Sequence, residues 1–238
     1  MSKKEEKALM KINMEEDQSQ GMENLTKDDL SIPFFKILQS NSPEVMEGDS
    51  RPGMIVNSAS GEAFKEMEVI PCGYQKQFIE WTPRESGGGL KATYNSLDGL
   101  ELMKTCTKDD KGKDILSNGN LLVPTAVHYV CSWLDGPILG IMSMTSTALK
   151  KSRKWNSTMS GIKVQGSKGM YTPPTFGHSY SIKTHQESNN YGTWFNWDIT
   201  LKGEVEDENL YLLCKKFSND MQQGLVKVEH NGKNDIPF

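Results

Sequence analysis

The sequence predicts a mainly β fold with peripheral helices, of the α+β class, in one principal domain. Three observations point there. Short apolar runs with strand-like alternation recur between residues 34 and 201, and turn residues join them into hairpin-like pairs in three places. Helical periodicity is confined to segments beside these runs, over 145–159 and 207–223.

Residues 1–24 are polar and charged, with almost no apolar residue after Met14, and are expected to form a mobile arm or a loosely held helix. Thr26 opens a Thr-x-x-acid pattern closed by Asp29, a helix-start signal, and the turn should stop at Ile32-Pro33. Residues 34–38 read as the first buried strand. Ser42-Pro43 and Glu47-Gly48-Asp49 mark a loop before a short strand over 53–57, which turns at Ser60-Gly61. Residues 66–84 alternate well enough for a long strand interrupted at Pro71, and they include Val69, Tyr74, Phe78 and Trp81. Gly87-Gly88-Gly89 reads as a flexible loop or hairpin end, because no Lys-Ser/Thr follows it as a P-loop requires. Residues 104–120 are polar and glycine-bearing, and read as a surface insertion.

The best sheet signal is the pair 125–133 and 138–144, joined through Leu134-Asp135-Gly136-Pro137 as a hairpin. A helix is expected over 145–159, with Ser146 or Thr147 as cap and Gly161 as stop. Paired strands follow over 177–185 and 192–201. An amphipathic helix over 207–223 places Leu210, Leu213, Cys214, Phe217 and Met221 on one face, and Gly224 ends it. The natural architecture is an OB-fold-like antiparallel β-barrel with additions, a C-terminal helix and a tail. A β-sandwich gives much the same periodicity. The expected division is an arm over 1–24, one domain over 25–224 and a tail over 225–238.

The opening residues lack the apolar core of a signal peptide, and no apolar run approaches the roughly 18 residues of a membrane span. A cytoplasmic protein without a membrane partner is expected. Cys72, Cys106, Cys131 and Cys214 lie far apart, as do His128, His178, His185 and His230, which points to reduced thiols and against a metal site. No cofactor is implied. No His-Glu-x-x-His, Gly-x-Ser-x-Gly or Gly-Lys-Ser/Thr motif occurs, so no catalytic residue is assigned. Asp109, Asp110 and Asp114 sit among Lys108, Lys111 and Lys113, and read as a solvated loop more than as a nuclease centre.

The net charge of −4 speaks against a polyanionic ligand, but its distribution reverses that. Residues 136–186 contain no Asp or Glu and carry a local charge of +7, between ends that are both acidic. A basic block between acidic flanks suits a polyanion-binding groove, while a solvated basic face is the commoner origin of such runs. Single strands are gripped by cations along the phosphates and by aromatic faces under the bases. Lys150, Lys151, Arg153, Lys154 and Trp155 fall in one helical segment, and Lys163, Lys168, Tyr171, Tyr180, Lys183, Tyr191 and Trp194 follow. These are the candidate DNA-binding residues. In a strand over 192–201, Trp194 and Asn196 share one face, while Phe195, Trp197 and Ile199 share the other and read as core. Each single aromatic reads equally well as core; as a set they point to nucleic acid.

The last residues, Asp235-Ile236-Pro237-Phe238, have the properties of a docking peptide. Pro237 restricts its own φ and holds Ile236 extended, Phe238 supplies an aromatic anchor, and a terminal carboxylate suits an Arg or a backbone nest. The alternative is an apolar end tucked back onto the fold.

With basic block, aromatics and tip in place, the chain resembles phage single-stranded DNA-binding proteins. Its size and plan are similar to the T7-type proteins, one OB-fold with additions followed by a tail ending in phenylalanine. The tip is similar to that of bacterial single-stranded DNA-binding proteins, which offer it to replication and repair enzymes. Ile32-Pro33-Phe34-Phe35-Lys36-Ile37-Leu38-Gln39, Ser42-Pro43-Glu44-Val45 and Ser152-Arg153-Lys154-Trp155-Asn156 resemble phage proteins of about this length. The resemblance implies a non-enzymatic protein that binds single-stranded DNA without sequence preference in replication, recombination or repair. Such a protein would recruit enzymes through Asp235, Ile236, Pro237 and Phe238, act in the host cytoplasm, and be compatible with a homo-oligomer. Here Lys233 and Asn234 precede a single Asp where an acidic run is usual, so the tip should act through its anchor and carboxylate more than through charge. The alternatives are a phage structural or assembly protein with a basic DNA-facing surface and, third, a nuclease.

Overall fold

A computed structural model describes residues 20–24, 32–133, 136–190 and 192–226. The chain divides into two compact units, Met1–Ser31 and Ile32–Phe238. Of the first, the described residues form an exposed turn in which the Gly21 amide donates to the Glu23 carboxylate. The helix start at Thr26, the Leu134-Asp135 turn residues, Tyr191 and the tip at 235–238 lie outside the described residues.

The second unit is mostly β, a curled antiparallel sheet forming an OB-like half-barrel with helices. In chain order it contains β1 (Phe35–Ile37), α1 (Pro43–Met46), β2 (Ile55–Asn57), β3 (Ala63–Phe64), β4 (Glu66–Trp81), β5 (Leu90–Tyr94), α2 (Ser96–Thr105), β6 (Thr107–Lys108) and β7 (Asp114–Ile115). After these come β8 (Leu121–Ser132), β9 (Ile138–Thr145), α3 (Ala148–Gly161), β10 (Val164–Gly166), β11 (Gly169–Tyr171), β12 (His178–Asn189), β13 (Gly192–Glu204) and α4 (Glu208–Gln222).

The curl originates in β4. Pro71 has no amide to give to a ladder, and the strand accommodates it with a bulge at Cys72, where the register to β8 shifts between Pro71 and Gly73. Before the bulge β4 pairs with β12, as in Tyr180 opposite Val69, and near its end it pairs with β5, as in Phe78 opposite Tyr94. β8 follows it along its length and pairs in turn with β9. The path β13-β12-β4-β8-β9 therefore bends around a core, with α3 inserted between β9 and β12.

Residues 32–64 close the gap between the first and last strands of that path. Phe34 bridges to Ile141 on β9, whose amide donates to the Pro33 carbonyl at 2.9 Å. On the other side the Gln39 amide group donates to the Phe195 carbonyl at 2.9 Å and accepts from the Phe195 amide at 2.8 Å. Phe35 and Ile55 reach the core, and Gly140 leaves room for the Phe35 ring, which would lie 2.4 Å from a Cβ at that position.

Both faces of β8 are covered, which explains its near-continuous apolar run. Ala126 and Val130 pack with Trp155 and Met159 of α3, together with Met67, Val69, Tyr180 and Trp197. Val127, Tyr129 and Cys131 pack on the opposite face with Cys214, Phe217 and Met221 of α4. The predicted apolar face of the C-terminal helix is thus its buried face; Asp207 caps it by accepting from the Leu210 amide, and Gly224 follows at φ +71°.

Residues 104–120, read as a surface insertion, hold a short hairpin, and a helix that the sequence pattern does not show precedes them. The helix α2 begins at Asn95, whose side chain accepts from the Leu97 and Asp98 amides, and β6 and β7 form a short hairpin after it. Gly99 in mid-helix masks the pattern, and it is there because the Phe78 ring lies 2.1 Å from where its Cβ would sit.

Candidate nucleic-acid interface

Lys150 and Lys151 occupy the first turn of α3, which contains no acid. The macrodipole disfavours cations at that end, by about 0.3–1 kcal/mol each, so these charges do not serve helix stability. Lys150, Arg153 and Lys154 are exposed on the outer side, while Ser152, Trp155 and Met159, at the spacing of one helix face, are buried. Among the described residues no carboxylate pairs with Lys150, Arg153, Lys154 or Lys168.

Two other cations of the acid-free segment do carry acids, supplied by neighbouring strands. Lys151 lies 2.8 Å from Glu187, and Lys183 lies 3.1 Å from Glu66. The Glu187 carboxylate also meets Asn196 Nδ2 at 2.8 Å and His185 Nε2 at 2.9 Å. The Asn196 amide, the Lys151 ammonium and His185 together hold its pKa down to about 2. A charge block that is pure in sequence is therefore partly neutralised in space.

The structure corrects two of the predicted stacking residues. Trp155 is 2% exposed and stacks on His128 with ring centroids 4.6 Å apart, and Tyr180 is 1% exposed against the indole edge. Burial pushes the Tyr180 phenol up to about 12. Both rings are core: Trp155 shares the buried face of Ser152 and Met159 on α3, and Tyr180 of β12 packs into the same cluster. Trp194 is half-buried, whereas Trp197 is core and Ile199 packs against it, as the strand alternation predicts. Asn196, on the Trp194 side, is buried in its bonds to Glu187.

After α3 the chain forms a separate two-stranded hairpin, β10 with β11, that the sequence reading lacks. It brings Lys168, Met170 and Tyr171 to the surface, with Tyr171 51% exposed and its ring over Gly166. Lys163 at its base donates to the Thr172 hydroxyl. Glycines and short strands give this hairpin little pattern to detect.

One surface aromatic was missed altogether. Tyr74 on β4 is 41% exposed beside α3, its ring tilted over His128 at 5.1 Å. The sequence signal is its place two residues before Lys76 in an alternating strand, where it also fits as an apolar strand residue.

His128 Nε2 lies 2.8 Å from the Ser152 hydroxyl, a contact with the outline of a base and nucleophile. Burial lowers the His128 pKa to about 3, and no group orients its Nδ1 among the described residues. The pair is a buried hydrogen bond beside the Trp155 ring. Among the described residues no group of three or more His, Cys, Asp or Glu side chains is placed to hold a metal, and the four cysteines are free thiols. No helix among them is long and apolar enough to cross a membrane.

OB barrels use the face of their second and third strands, with flanking loops, for oligonucleotides. Here the face of β8 and β9 that carries Val127, Tyr129 and Ile141 lies beneath α4, and the exposed cations of the basic segment stand on the α3 side. The family described as Pam3 phage gp34-like protein matches residues 3–227 of the chain. No curated protein and no solved structure matches it.

Proposed function

The chain belongs to the Pam3 phage gp34-like family, and from that footing we propose that it binds single-stranded DNA without sequence preference during phage replication, recombination or repair. The observation that carries this reading is the exposed, acid-free ridge of Lys150, Arg153 and Lys154 on α3, with Lys168 and Tyr171 exposed on the hairpin that follows it in the chain. Cations spaced along a helix and a hairpin suit a phosphate backbone, and exposed rings suit unpaired bases at about 1–3 kcal/mol each. Phosphate neutralisation supplies the salt-dependent part of the affinity.

In this reading the C-terminal residues Asp235, Ile236, Pro237 and Phe238 recruit partner enzymes, with Phe238 as anchor. Titration with poly-dT at two salt concentrations, followed by tryptophan fluorescence, tests the proposal. Binding that weakens steeply with salt supports it. No binding to any oligonucleotide at low salt overturns it, and turns attention to an assembly role for the basic face.

A further inference from the structure

Between α3 and α2 one face of the sheet stays open. Tyr74, Lys76 and Phe78 pair with His128, Ala126 and Pro124 of β8, on the face where Ala126 and Val130 meet the α3 core. α3 covers the early part of that face through Trp155, and α2 covers the late part, where Phe78 packs under Gly99. Tyr74 and Lys76 lie exposed between the two helices.

The Tyr74 ring packs against His128 there. Its hydroxyl is within reach of the Ser152 and Asn156 side chains of α3, its ring leans on His128, and the Arg153 guanidinium is close enough to act on it electrostatically. The acids of α2 are turned to partners of their own, Asp98 to Asn95 and Glu101 to Lys104. The opening thus combines an exposed aromatic, packed on one side, with cations on two elements.

We propose that Tyr74 is the stacking surface for an unpaired base, with Arg153 and Lys76 meeting the phosphates of the same strand. The site rests on the DNA-binding reading above and adds a ligand contact that the α3 ridge does not supply. A ring already packed on one side loses less entropy when a base is laid on it than a free one would, which suits Tyr74 to the task.

The test uses fluorescence anisotropy with a labelled oligo-dT and an abasic oligomer of equal length, which keeps the phosphates and lacks the bases. Tyr74→Ala should weaken oligo-dT binding by about 5- to 150-fold, the range of one base–aromatic stack, and leave abasic binding unchanged. Tyr74→Phe should retain the wild-type preference for oligo-dT, since the ring remains. Tyr74→Trp should report the base directly, through fluorescence quenched by oligo-dT and not by the abasic strand. Wild-type affinity for oligo-dT in Tyr74→Ala, or equal losses for both oligomers, overturns the stacking site while the DNA-binding reading stands. A wild-type protein that binds neither oligomer overturns both.

Discussion

The Glu187 carboxylate holds the Lys151 ammonium at 2.8 Å, so an acid from β12 occupies one cation of an otherwise acid-free helix. Glu187→Gln removes that competitor. The variant should bind poly-dT more tightly than wild type, with a salt slope steeper by about 0.7, the share of one extra phosphate on a single strand. An unchanged slope would mean that Lys151 stands outside the path of the strand.

The same carboxylate sets an acid limit on the fold. Its pKa is about 2 in the folded chain against an ordinary 4.5, so its contribution is present above the ordinary value and is lost as pH falls from about 4.5 to 2. Thermal melts across this range should show wild type losing more stability than Glu187→Gln. Parallel curves would show that the Asn196, Lys151 and His185 contacts have little effect on folding.

Replacing Lys150, Arg153 and Lys154 together with Ala should weaken binding to all sequences alike and flatten the salt slope by about 2. Because all three side chains are exposed, the melting temperature should hardly move. Unchanged affinity in this variant would place the DNA path elsewhere on the molecule.

Gly99→Ala sets helix propensity against packing. Alanine favours the helix by about 1 kcal/mol, but its Cβ would lie 2.1 Å from the Phe78 ring and 2.5 Å from the Phe78 Cβ, neither of which has room to yield. The net loss should be about 1–2 kcal/mol, read by denaturant unfolding. A stabilised variant would show that Phe78 can move aside.

Gln39→Ala strips the Phe195 backbone of its two side-chain partners. Leaving these part-buried groups unpaired should cost about 1–3 kcal/mol. Amide exchange should quicken at Phe195, while the distant β5 keeps its protection; uniform change would speak against a local seam.

Much of the fold was legible because its signals are local. Alternation and turns located β8, β9, β12 and β13, and the spacing of Leu210, Cys214, Phe217 and Met221 gave the buried face of α4. The site was less legible, because its determinants come from remote segments. Trp155 beside Lys154 reads as a binding pair in sequence, yet one step around the helix divides core from solvent. Glu66 and Glu187 lie far from Lys183 and just outside the acid-free stretch respectively, and only strand pairing brings them to their cations. Tyr74 became visible only once α2 and α3 were seen to leave it uncovered.

The contact between Gln39 and Phe195 joins positions 156 residues apart. During synthesis the segment over 32–64 emerges early and has no partner on that side until β13 has been made. Closure of the seam must therefore be a late event, since long loops have to be ordered before such contacts stabilise anything. Until then Phe35 and Ile55, which belong to the finished core, have no complete enclosure and stand open to wrong partners. A nascent chain that has not yet delivered β13 thus leaves this side of its core without a cover.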